Sequence, residues 1–184
     1  GEPGEHDAEF CAIELDDGAF GLSYILLGHT LDRLLAAHAD VGGDVVSSGG
    51  TGTHHPHRLR PGVTEVQAGS YALMDSHYGA HGHPFAQACR LLGSVISVGR
   101  RHAVADVGLK AVGMDHGNPT TAAGTVWFLS DEHLTFAPTD PVRVGDLIEV
   151  VPAHIDPTMS MHEVAWLVRG DEVVDRWPID LRGW

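Results

Sequence analysis

The sequence predicts an α/β segment followed by an antiparallel all-β domain, on three observations. Up to about residue 60, strand-like, helix-like and Gly-rich stretches alternate, which is α/β character. Beyond Pro61, short apolar runs recur between Gly, Pro, Asp and Asn, the pattern of an antiparallel barrel or sandwich. The third is composition. A chain of 184 residues that is 43% hydrophobic and 20% charged, with mean hydropathy near zero, fits a soluble globular protein of one large or two small domains. Such a chain buries roughly 70% of its unfolded surface and needs no covalent staple.

In order along the chain, residues 1–8 are polar and carry Gly and Pro, as a frayed end does. Residues 10–15 form a short apolar run stopped by Asp16-Asp17-Gly18, a strand and then a turn. Residues 20–27 read as a buried strand. Thr30 is placed to N-cap a helix in which Leu31, Leu34, Leu35 and His38 keep helical spacing until Gly42-Gly43. Residues 44–47 then give a brief strand, followed at once by a Gly-rich loop. After the composition changes, strands are expected at 63–68, 71–74, 91–98, 103–107, 125–129, 147–151, 164–168 and 173–177. Periodicity leaves residues 85–92 open between strand and helix. The boundary falls near 58–62, giving domains of residues 1–60 and 61–184.

Eleven basic against 25 acidic residues give a net charge of −14. Nucleic-acid backbones and anionic membranes need clustered Lys and Arg, so both are excluded as expected partners. The fourteen histidines can offset that charge when protonated, so solubility is expected to fall towards the pI of 5.2. Cys11 and Cys89 form neither a disulfide framework nor a thiol metal motif, which suits a reducing compartment. The start has no basic and no apolar stretch, so no signal peptide is expected. No apolar run approaches 18 residues. A cytoplasmic location is the expectation.

Two segments carry candidate chemistry. In the first, Ser48, Gly49, Gly50, Thr51, Gly52 and Thr53 follow a short strand. Glycines let a backbone approach an anion, and successive N–H groups with Thr hydroxyls can hold phosphate oxygens. The Gly-Lys-Ser/Thr ending of a nucleotide loop is missing, and a turn between domains is the alternative. In the second, His154 and Asp156 sit between Pro152 and Pro157 after an expected strand. On extended chain, positions i and i+2 point the same way, so one nitrogen and one oxygen can reach a single divalent ion. Two protein ligands suit a catalytic ion with open positions for water and substrate. A surface pair is the alternative reading.

Other histidines compete. His54, His55 and His57 follow the Gly loop, and His77, His81 and His83 punctuate a Tyr/Gly stretch. Either group offers transition-metal ligands, solvated loop histidines being the simpler reading. His162-Glu163 is not a zinc-protease motif, because Trp166 stands where the second His is required. The single lysine, Lys110, invites assignment as a Schiff-base residue. An ion pair with Asp106 or Asp115 is the structural reading.

Taken together, these segments resemble one family. Residues 46–53 and 63–75, then Asp106-Val107-Gly108-Leu109-Lys110-Ala111, Leu129-Ser130-Asp131-Glu132-His133 and Val142-Arg143-Val144-Gly145-Asp146, are similar to D-threonine aldolases and D-serine dehydratases. So are Val151-Pro152-Ala153-His154-Ile155-Asp156-Pro157-Thr158 and residues 177–183. The resemblance runs from about 44 to 183 and is weaker over 10–40. It implies the last part of an alanine-racemase-type (β/α)8 barrel that binds pyridoxal 5'-phosphate (fold type III), followed by a C-terminal antiparallel β-barrel-like domain, usually as a dimer. It implies further that the loop of Ser48, Gly49, Gly50, Thr51, Gly52 and Thr53 cradles the cofactor phosphate, and that His154 and Asp156 bind a divalent metal. Dehydratases of the zinc type resemble this motif with cysteine at the second position. Asp156 therefore favours Mn²⁺ or Mg²⁺ over Zn²⁺, and the aldolase branch.

Family members are about twice as long, and their Schiff-base lysine lies near the N-terminus. Lys110 matches a β-domain position instead, so the catalytic residues are expected on another chain segment. The implied function is the C-terminal part of a lyase cleaving D-β-hydroxy-α-amino acids to glycine and an aldehyde, completed by an N-terminal half or in a homodimer. A D-serine-dehydratase-like outcome is the near alternative. A non-catalytic metal- or ligand-binding domain is the alternative from another class.

Overall fold

In the computed structural model, residues 12–14, 20–22, 29–180 and 182 are described. The chain forms two compact units, Gly1–Gly69 and Ser70–Trp184.

In the first unit, β1 (Ala12–Glu14) pairs antiparallel with β2 (Phe20–Leu22), Ile13 opposite Gly21. The turn expected at 16–18, the rest of the run to residue 27 and the expected frayed end lie outside the described residues. Helix α1 (His29–Val41) starts one residue before Thr30, which is thus in its first turn rather than its cap. Asp32 in the first turn and His38 in the last oppose the helix dipole. The helix stops where Gly42 takes φ +85° and donates its N–H to the His38 carbonyl at 2.7 Å, an ending that glycine makes without strain. Strand β3 (Ser47–Ser48) leads into a 3₁₀ turn at Thr51–Thr53 and α2 (His54–Arg58). The chain returns as β4 (Glu65–Val66), which pairs parallel with β3. Parallel strands need a helical crossover, so this is one βαβ step. That pairing carries residues 61–69 into the first unit and sets the division after Gly69, later than the composition suggests.

The second unit opens with a 3₁₀ turn at Ser70–Ala72, not the strand expected over 71–74. The turn wins because the chain must present Asp75 as the N-cap of α3 (Ser76–Gly79), where its Oδ1 accepts the Tyr78 N–H at 2.8 Å. Residues 85–90 adopt neither strand nor helix. Then β5 (Leu91–Val98), β6 (Ala103–Ala105), β7 (Gly124–Leu129), β8 (Leu134–Pro138) and β9 (Leu147–Val150) form one antiparallel sheet in the order β7-β8-β6-β5-β9. Its core comprises Val95, Ala103, Ala105, Leu134, Phe136 and Val150, all fully buried, with Val112 and Ile148 beside them. Strand β8 was not among the expected ones. Its Leu134-Thr135-Phe136 is buried on consecutive residues, so it shows no alternation, and Pro138 discourages a strand reading. Thr120, just before β7, bridges Val151, just after β9, so the two edges of the sheet curl together in a barrel-like way.

The Asp106-Val107-Gly108-Leu109-Lys110 segment explains its own glycine. A Cβ on Gly108 would lie 2.4 Å from the backbone of Asp131, Glu132 and His133. That close approach lets Leu109 and Lys110 donate their N–H groups to Ser130 and Asp131 at 2.9 and 3.1 Å. After α4 (Ile155–Ser160) the chain ends in a hairpin of β10 (Val164–Arg169) and β11 (Glu172–Pro178), a separate two-stranded sheet. Cys89 is a free thiol whose pKa burial raises, with Sγ 3.9 Å from Met159 Sδ. No helix among the described residues is long and apolar enough to cross a membrane.

Candidate functional site

His154 ends the segment after β9 with extended backbone, φ −138° and ψ 119°, and is the N-cap residue of α4. Asp156 already lies in the first turn of that helix. The two are therefore not on one extended stretch, as the spacing suggested. They meet because the chain turns into a helix between them, and His154 Nε2 comes 3.4 Å from Asp156 Oδ2. Pro157 is tolerated there, since N–H groups of a first helical turn have no intrahelical acceptor.

Three residues absent from the sequence-based site hold this turn. Asp75 is fully buried and its Oδ2 accepts the Ile155 N–H at 3.1 Å. Thr158, 1% exposed, donates its hydroxyl to the His154 carbonyl at 2.7 Å and accepts the Gly113 N–H at 3.1 Å. Asp115, reached through that Gly113 loop, hydrogen-bonds His154 Nδ1 through its Oδ2. Partial burial raises the Asp115 pKa, but the hydrogen bond from His154, its own backbone and the nearby His154 and His116 charges outweigh it, and the carboxyl sits below its ordinary value. His116 stacks on His154 with ring centroids 4.0 Å apart and planes 5° from parallel. His77 lies 4.5 Å beyond His116. Ser70 donates its hydroxyl to Asp156 Oδ2 at 3.1 Å. Ligand-type atoms of Asp115, His116 and His154 all fall within 4.8 Å of one another. In the sequence Asp115 stands out only as a candidate ion-pair partner of Lys110, and spacing alone cannot link it to His154, 39 positions away.

A nitrogen and a carboxylate oxygen 3.4 Å apart fit one ion. Two neighbouring ligands held about 2.1 Å from a metal are themselves about 3.0–3.4 Å apart. The donor set, one imidazole and one carboxylate, suits a borderline or hard divalent cation.

In the first unit, Gly49 adopts φ +80° and Gly50 is extended. This left-handed turn entering a 3₁₀ turn is the kind of backbone that offers successive N–H groups to an anion. Thr51 is 2% exposed and the Gly50 N–H donates to Thr53 Oγ1 at 3.0 Å. Ser48, also buried, pairs its Oγ with His57 Nδ1 at 2.9 Å. A Cβ on Gly49 would lie 2.8 Å from the His57 ring, so glycine is required on steric as well as conformational grounds. His57 is 1% exposed and its Nε2 is a buried ring nitrogen with no partner among the described residues. Within the loop the Gly50 N–H and the Ser48 hydroxyl are already engaged by Thr53 and His57.

The remaining expected histidines do not converge on an ion. His54 Nδ1 is bonded to the Thr51 carbonyl and His81 Nδ1 to the His77 carbonyl. His81 and His83 stack with ring centroids 6.4 Å apart. Lys110 pairs with neither Asp106 nor Asp115. Its Nζ lies 2.5 Å from Glu132 Oε1, because the Gly108 approach lays it beside the turn after β7, and that hydrogen bond raises its pKa.

The curled antiparallel β-domain, with a βαβ piece before it in sequence, has the fold of solved alanine-racemase-like proteins. A solved alanine-racemase-like protein from Idiomarina loihiensis superposes with a TM-score of 0.68 at 22% identity, over 84% of this chain and 48% of that one. The crystal structure of D-threonine aldolase from Filomicrobium marinum superposes with a TM-score of 0.73 at 30% identity, over 82% of this chain and 45% of that one. Residues 88–168 match the family model described as putative serine dehydratase domain. The 3-hydroxy-D-aspartate aldolase of Paracoccus denitrificans is 38% identical over 154 residues, and the D-threonine aldolase of an Arthrobacter species 32% over 151. Each match covers 76% of this chain and 40% of the relative. Over this part the chain is similar to D-threonine aldolases and to the serine dehydratase domain, in agreement with the resemblance its motifs carry. It spans about 40% of the length of the curated relatives it matches.

Proposed function

We propose that this chain is the C-terminal part of a lyase acting on D-β-hydroxy-α-amino acids, cleaving Cα–Cβ to give glycine and an aldehyde. The observation that carries the reading is the His154–Asp156 pair, braced by Asp115, Asp75 and Thr158. A decorative surface motif needs no such bracing. Relatives named as D-threonine and 3-hydroxy-D-aspartate aldolases support the substrate class.

In this reading His154 and Asp156 would hold a divalent ion, Mn²⁺ or Mg²⁺ rather than Zn²⁺, which would supply Lewis-acid chemistry for ionising the substrate's β-hydroxyl. Ser48, Gly49, Gly50, Thr51, Gly52 and Thr53 hold the phosphate of pyridoxal 5'-phosphate, which when bound supplies the electron sink for cleavage. The first unit, up to Gly69, then derives from the cofactor barrel, and the second, from Ser70 on, carries the metal domain. The site needs an N-terminal half, on the same polypeptide or in a partner. Loss of the hydroxyl is the second outcome, favoured by the likeness of residues 88–168 to a serine dehydratase domain.

The test combines the chain with the N-terminal half of a D-threonine aldolase, pyridoxal phosphate and Mn²⁺. Glycine and acetaldehyde from D-threonine are expected, with turnover lost in Asp156→Ala. 2-Oxobutanoate and ammonia instead would select dehydration. Neither product, with D-threonine or D-3-hydroxyaspartate, would sink the lyase reading.

A further inference from the structure

His154 stands between two carboxylates. Its Nδ1 is hydrogen-bonded to Asp115 Oδ2, while its Nε2 lies 3.4 Å from Asp156 Oδ2. A neutral imidazole carries a single N–H, so one ring nitrogen donates and the other presents a lone pair. The Asp156 contact is longer than an ordinary N–H···O bond. Asp115 therefore takes the proton-bearing nitrogen, and Nε2 is left facing the Asp156 carboxylate with its lone pair. Two electron-rich atoms in that relation call for a cation between them.

We infer that Asp115 is a positioning residue for the metal pair: by accepting the Nδ1–H of His154 it fixes the ring tautomer and makes Nε2 the ligand atom. This rests on the reading of His154 and Asp156 as the ion's holders. His116 does a different job from the one its closeness suggests. Its plane is within 5° of the His154 plane, 4.0 Å away between centroids. In-plane lone pairs of parallel rings run side by side and do not converge on a shared ion. His116 is thus a wall that keeps the His154 ring from tilting, and no third ligand. The Thr158 hydroxyl on the His154 carbonyl fixes the backbone beneath. Ring, tautomer and backbone are each held by a different residue. An orienting carboxylate also makes the opposite nitrogen more basic, and losing such a partner lowers metal affinity about 10–100-fold.

The test reads the tautomer directly, in the metal-free full chain at about pH 8, where free histidine is neutral. With histidines labelled by ¹⁵N, long-range proton–nitrogen spectra are expected to give the Nδ1–H tautomer for His154. Asp115→Ala should release it to a mixture or to the Nε2–H form. Asp115→Asn, whose amide oxygen still accepts, should keep Nδ1–H. Mn²⁺ titration of the same proteins should give a Kd raised about 10–100-fold for Asp115→Ala and less for Asp115→Asn. An unchanged tautomer in a folded Asp115→Ala protein overturns the inference, as does unchanged Mn²⁺ affinity. If the tautomer shifts as expected while His154→Ala and Asp156→Ala bind Mn²⁺ like the wild type, the hold of Asp115 on the ring is supported and the ion reading is what fails.

Discussion

The carboxylate of Asp75 accepts the backbone N–H of Ile155 at 3.1 Å across 80 positions of sequence. Its other oxygen accepts the Tyr78 N–H at 2.8 Å, so one fully buried side chain caps the starts of both α3 and α4. The N–H of Ser76 adds a bond to the Pro152 carbonyl at 2.9 Å. The start of α3 is thereby tied to the residues flanking His154.

Asp75→Ala should cost about 2–4 kcal/mol, since it orphans two N–H groups at helix starts. Asp75→Asn should cost less, because one oxygen still accepts. Urea unfolding measures the loss, and amide exchange at Ile155 should quicken in the alanine variant. A change within about 0.5 kcal/mol would remove Asp75 from the account.

Thr158→Val keeps the shape of the side chain and removes both its hydrogen bonds. The Gly113 N–H then loses its buried acceptor, at about 1–3 kcal/mol. The Gly113 loop carries Asp115, so Mn²⁺ affinity should fall along with stability. Thr158→Ser should restore both. Equal behaviour of the valine and serine variants would contradict the bridge.

Burial holds the His57 imidazole below its ordinary value of about 6.5. The unfolded chain therefore takes up the proton first as pH falls. The stabilisation is fully present above about pH 6.5 and is lost as pH drops from there towards the folded value. Comparing urea midpoints of wild type and His57→Gln between about pH 8 and pH 5.5 isolates this contribution. A difference that stays flat over that window would contradict it.

Lys110 should not trap pyridoxal phosphate. Its ammonium is hydrogen-bonded to Glu132, which raises its pKa and so disfavours the free amine that a Schiff base needs. Borohydride reduction of the mixed protein followed by peptide mapping should leave Lys110 unmodified. An adduct there would reverse the reading.

Much of the fold was legible because its signals are local. Helix α1 announces itself by the spacing of Leu31, Leu34 and Leu35 and by its glycine stop, and β5, β7, β9, β10 and β11 by compact apolar runs. Strand β8 was missed because both of its faces are buried near Leu134 and Phe136, which erases alternation. In the candidate site, His154 and Asp156 were visible as neighbours in sequence. Asp75, Asp115 and Thr158 were not, since their partners lie at 155, 154 and 113, and one sequence holds no record of which distant polar residues meet.

The Thr120–Val151 bridge has a consequence for how the molecule meets other chains. Thr120 and Val151 exchange both backbone hydrogen bonds, at 2.9 and 2.8 Å, where β9 would otherwise offer an open rim. An open rim recruits foreign strands and seeds fibrils. Here the rim is occupied beside the residue that leads into Pro152 and His154, so the most chemically committed part of the domain is also closed to stray pairing. Val151→Pro would delete the donating half of that contact. Thioflavin-binding aggregates should then form at temperatures where the wild type forms none.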